Sequence, residues 1–129
     1  MPARYMARIA DGMLTEALAT GGAVQVKGPK WCGKTATSLQ QAASVVYLQD
    51  PDRSASYLAL ADAKPSALLE GRVPRLIDEW QMAPQLWDAV RFAVDLRGEP
   101  GQFILTGSST PAVGGAHSGV GRIAPMVMR

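Results

Sequence analysis

The sequence predicts an α/β protein built on a mostly parallel sheet, and three observations predict it. A glycine-rich loop, Gly28-Pro29-Lys30-Trp31-Cys32-Gly33-Lys34-Thr35, falls between a strand-like and a helix-like stretch. Residues 45–48 form a near-continuous apolar run, as a buried strand of a parallel sheet must, and 73–78 and 102–106 read as further strands. Helical spacing occupies the stretches between them, so strand and helix alternate along the chain.

Residues 4–20 open the chain as an amphipathic helix. Met6, Ile9, Met13, Leu14, Ala17 and Leu18 recur at helical spacing and are expected to form its core face, with Arg4, Arg8, Asp11 and Thr15 on another. Gly21-Gly22 stops it. The first strand, residues 23–27, alternates apolar and polar positions around Val24 and Val26.

The loop that follows fits the template Gly, four variable residues, Gly-Lys-Ser/Thr. Gly28 and Gly33 allow positive φ angles and close approach of the backbone to a ligand. The successive N–H groups of Gly28 to Thr35 then form a concave anion site, reinforced by the positive end of the next helix. Lys34 supplies an ammonium for β- and γ-phosphates, and Thr35 a hydroxyl for Mg²⁺. Residues 35–43 contain neither Gly nor Pro and read as that helix.

Beyond it, residues 45–48 form a second strand that ends in Asp50-Pro51-Asp52-Arg53. Asp50 is either a supporting carboxylate at the ligand edge of the sheet or part of a solvated turn. Helical pieces at 54–61 and 66–70 are separated by Lys64-Pro65. The third strand, residues 73–78, ends in Leu76-Ile77-Asp78-Glu79. A strand-tip Asp78 facing Thr35 is placed to hold Mg²⁺, and Glu79 beside it to accept a proton from attacking water. Ala83-Pro84 opens a helix with Leu86, Val90, Ala93 and Val94 as its buried stripe, and Trp80 and Trp87 read as packing residues. The fourth strand, residues 102–106, runs into Gly107-Ser108-Ser109-Thr110, where a hydroxyl either senses the γ-phosphate or caps a turn. The lone His117 has no second ligand at metal spacing.

Domain organisation follows. The chain of 129 residues is one domain: an N-terminal helix over 1–22, nucleotide-site strands and helices over 23–109, and a flexible tail with the start of a fifth strand over 110–129. Hydrophobic residues make up 47%, enough for a core. A net charge of +2 is too mild to indicate nucleic acid or an acidic membrane surface. One cysteine excludes an intrachain disulfide and, with no signal peptide and no run of about 18 apolar residues, suggests a cytoplasmic protein. The same cysteine, Cys32, sits between Lys30 and Lys34, where it is either reactive or an inert filler.

With both phosphate-site motifs located, the chain resembles AAA-type ATP-binding proteins of bacteria and archaea that usually carry a C-terminal domain of unknown function. The likeness rests on Gly-Pro-Lys-Trp-Cys-Gly-Lys-Thr (28–35), Leu-Ile-Asp-Glu-Trp-Gln (76–81), Phe-Ile-Leu-Thr-Gly-Ser (103–108) and Gly-Arg-Ile (121–123), and runs from about Tyr5 onward. The resemblance implies a three-layer αβα P-loop NTPase fold with the Thr106 strand between the two phosphate-site strands. It implies that Glu79 activates water, that Ser108 or Thr106 is the polar sensor, and that Arg122 supplies an arginine finger to a neighbouring subunit of a homo-oligomer. It also implies a lid and a C-terminal domain in longer relatives, so the chain is expected to be the ATPase core alone, either a truncated product or a fragment of a longer protein. The expected function is ATP binding with Mg²⁺-dependent hydrolysis; the alternative is a remnant that binds ATP without turnover. A GTPase or phosphotransferase fits less well, since no Asn-Lys-x-Asp guanine-reading motif occurs.

Overall fold

The computed structural model describes residues 3–28, 33–108 and 123–128. Five strands form one sheet: β1 (Ala23–Gly28), β2 (Ser44–Tyr47), β3 (Arg75–Asp78), β4 (Phe103–Ser108) and β5 (Ile123–Val127). Their order is β2-β3-β4-β1-β5, and every pairing is parallel. The chain is therefore α/β, with β4 between the strands that carry the two phosphate-site motifs. Helices α1 (Ala3–Thr20), α2 (Lys34–Gln41), α3 (Ser54–Ala63) and α4 (Leu86–Arg97) connect and cover the strands, with short 3-10 turns at Pro65–Leu69 and Trp80–Met82.

Strand alternation divides the core into two layers. Ile77, Phe103, Leu105 and Ile123 point to one face, against Leu68, Leu69, Leu86 and Val90. Leu76, Val24, Val26, Ile104 and Met126 point to the other, against Ala10, Leu14 and Leu18 of α1. By the same alternation Asp78 and Thr106 share the second face, the one that α1 and α2 cover.

Several sequence expectations change in detail. In α1 the buried positions are Ala10, Leu14 and Leu18, whereas Ile9 and Met13 are about half exposed at 44% and 45%. The apolar stripe is wider than the strip of helix that the sheet can cover; the side chain of Met6 lies outside the described residues. Although residues 45–48 are continuously apolar, β2 is an edge strand, with Val46 buried and Tyr47 exposed, and Leu48 is buried just past its end. β3 starts at Arg75 because Pro74, which follows a cis peptide from Val73, has no N–H for the ladder. The piece at 66–70 is a 3-10 turn, with Pro65 in its first turn. Pro84 stands before α4, not within it: its carbonyl accepts from Trp87 N at 3.0 Å, and Gln85 is the N-cap. Leu86 and Val90 are buried as expected. Trp87 joins them and meets Trp80 at 5.0 Å between ring centroids, so both tryptophans are packing residues. No helix is long and apolar enough to cross a membrane among the described residues.

Candidate functional site

The site lies at the carboxyl ends of β1, β3 and β4, where open parallel sheets bind ligands. β1 ends at Gly28, and α2 begins at Lys34 directly after Gly33. Gly33 has φ 88° and ψ 21°, a left-handed conformation that a Cβ would strain, which is why the turn into the helix needs glycine here. As the N-cap residue, Gly33 brings no side-chain oxygen to α2, so this helix start is built from backbone donors. Pro29, Lys30, Trp31 and Cys32 of the same motif, and Arg122, lie outside the described residues.

Lys34 is buried, at 5% exposure, and its Nζ donates to the Gly28 carbonyl at 3.0 Å. The lysine thus ties the start of α2 back to the end of β1. This differs from a side chain extended only towards ligand.

The next residue reaches across to β3. Thr35 Oγ1 donates to Asp78 Oδ1 at 2.8 Å. From the other side Thr106 Oγ1 donates to the same oxygen at 2.7 Å. Register accounts for this meeting, because Asp78 pairs directly with Thr106 and both point to the α2 side of the sheet. Asp78 is 3% exposed and Thr106 fully buried. Two hydroxyls on one oxygen fix the plane of the carboxylate. A threonine that gives its only proton to Asp78 keeps its oxygen lone pairs for a cation. Thr35 and Asp78 therefore fit Mg²⁺, which takes hard oxygen ligands from one or two protein groups and completes its shell with water and phosphate. Among the described residues no group of three or more His, Cys, Asp or Glu could hold a metal, so a cation here would depend on such outside ligands.

The structure places Thr106 beneath the site, against Asp78, while the side chain of Ser108 lies outside the described residues. Asp50 serves its own turn, its Oδ1 accepting from Asp52 N at 3.0 Å. Arg75, whose guanidinium pKa burial lowers, sits at the far end of β3 and donates to Leu68 O and Ser44 Oγ.

Glu79 follows Asp78 in a left-handed conformation, φ 59° and ψ 48°, the one positive φ at a non-glycine residue among those described. Its Oε1 accepts from Gln81 Nε2 at 2.6 Å. Gln81 belongs to the motif over 76–81, but nothing in the sequence assigns it a role. The usable signal was its spacing two residues after the acid.

A family model described as an AAA domain matches residues 20–129, beginning at the end of α1 and not near Tyr5. Neither the curated proteins nor the solved structures give a significant match. With the glycine loop, the strand-tip acids and the strand order in place, the chain belongs to this AAA domain family, a family of AAA-type P-loop ATPases.

Proposed function

We propose that the chain binds ATP with Mg²⁺ at the loop between β1 and α2 and hydrolyses its β–γ anhydride. The observation that carries this reading is the convergence of Thr35, on the loop helix, and Thr106, on β4, upon one oxygen of the buried Asp78. The loop amides and the Lys34 ammonium hold the phosphates, and α2 adds its positive end. Thr35 and Asp78 would hold the cation, which would supply neutralisation of the phosphate charge. Thr106 keeps the Asp78 carboxylate aligned. Glu79 accepts the proton of the attacking water as its oxygen bonds to the γ-phosphorus and the bond to the β-phosphate oxygen breaks, releasing ADP.

Calorimetric titration with ATP, with and without Mg²⁺, tests the binding, and phosphate release tests the turnover. ATP binding that Mg²⁺ strengthens, with phosphate release abolished in Glu79→Gln, is the expected result. No binding refutes the reading. Binding without release leaves a nucleotide-binding domain and removes Glu79 from its role.

A further inference from the structure

Gln81 stands outside the roles given so far, yet its carboxamide is the best-placed neighbour of Glu79. The turn Trp80–Met82 starts from Glu79, and Met82 N donates back to Glu79 O at 3.0 Å. This folds Gln81 over the acid, so that its Nε2 donates to Glu79 Oε1 at 2.6 Å. The other end of the amide, Oε1, is buried with no hydrogen-bond partner among the described residues. It lies against Gly107, where a Cβ would overlap Gln81 Oε1 and sit tight against Trp80 Cδ1 at 3.2 Å. A side chain at residue 107 would therefore push the amide away from this position. The amide orientation is fixed by the acid alone, since the reverse would set a carbonyl against a carboxylate.

We infer that Gln81 is a positioning residue for Glu79, admitted by the bare backbone of Gly107. With one carboxylate oxygen engaged by Gln81 and the backbone held in the left-handed turn, the side chain of Glu79 is restricted to one orientation. Its other oxygen is left to take the proton from water. The inference rests on the proposed hydrolysis and goes beyond it by tying the strand β4 to the general base through Gln81.

Two substitutions remove the contact by different routes. Gln81→Met keeps length and loses the donor; Gly107→Ala keeps the donor and fills its space. A positioned general base contributes about 10²–10⁴ in rate, so losing its orientation should lower kcat about tenfold or more. The Kd for ATP with Mg²⁺ should stay within about twofold, because the contact acts only on the chemical step. In a Glu79→Gln background neither substitution should change the residual rate. A second readout is independent of turnover. The Gln81 side-chain amide protons in a ¹⁵N-edited spectrum should move towards free-glutamine positions in Glu79→Ala. Unchanged or raised kcat in both variants overturns the inference, as does a parallel loss of ATP affinity or an amide signal indifferent to Glu79→Ala. A wild-type chain that binds no ATP, or releases no phosphate, overturns the hydrolysis reading itself and takes the inference with it. The amide signal then still reports whether the contact exists.

Discussion

Thr106→Val gives the sharpest test of how the site is assembled. The substitution keeps the branched shape and removes one hydroxyl at a fully buried position, so no cavity forms. What is lost is the 2.7 Å donation to Asp78 Oδ1. A hydrogen bond to a charged group contributes about 1.5–3 kcal/mol. The methyl that takes the hydroxyl's place returns about 0.8 kcal/mol of burial. A net loss of about 1–2 kcal/mol follows, which in a domain of this size lowers Tm by about 3–6 °C. The second consequence is local. Asp78 keeps only Thr35 on that oxygen, so the carboxylate is less well aligned and the Mg²⁺-dependent gain in ATP affinity should fall by about tenfold, or about 1.4 kcal/mol. Affinity measured without Mg²⁺ should be unaffected. Thermal melts and calorimetric ATP titrations at zero and saturating Mg²⁺ read both effects, and Thr106→Ser, which keeps the donor, should recover most of the Mg²⁺ response. If Thr106→Val melts with the wild type and shows the same Mg²⁺ dependence, the hydroxyl does not hold Asp78. If Thr106→Ser fails as badly as Thr106→Val, the methyl matters and not the donor.

Lys34→Met keeps the buried stem and removes the ammonium, so ATP affinity should fall by about 1.5–3 kcal/mol, roughly 10- to 150-fold; equal affinity by calorimetry would refute the phosphate loop. Glu79→Gln should retain Mg²⁺-dependent ATP binding and lose phosphate release, whereas Asp78→Asn should lose the Mg²⁺-dependent part of binding; identical behaviour of the two would undo the division of roles. Gly33→Ala places a Cβ at φ 88° and should cost about 1–2 kcal/mol in stability, together with ATP affinity; an unchanged chemical-denaturation midpoint would show that the turn into α2 tolerates a side chain.

The sequence by itself determined what neighbouring residues decide together. Gly33 before Lys34 specifies a left-handed turn into a helix, because φ is a property of one residue and its side chain. The alternating strand before Gly28 and the Leu76-Ile77 pair before Asp78 mark strand tips, because a charged side chain belongs at the solvated end of a buried strand. Those local facts located the loop, the helix behind it and the carboxylates opposite, and the family match agrees with the motifs. The phase of α1 was less secure. Leu14 and Leu18 are buried while Ile9 and Met13 are not, since the width of a helix stripe that is covered depends on the partner surface.

Only the tertiary structure decided which side chains meet. Thr106 could be placed at a strand end by its sequence, but its partner depends on β4 lying between β3 and β1 with Asp78 in register. A shift of one residue would turn its hydroxyl to the opposite face of the sheet. Gln81 depends on more distant agreements: a left-handed Glu79, a short turn after it, and a glycine at 107 contributed by another strand. Such contacts join residues whose separation along the chain carries no record of their distance in space. The sequence therefore named the groups to which the proposed chemistry is assigned, and the packing of β3 against β4 decides which side chains stand beside them.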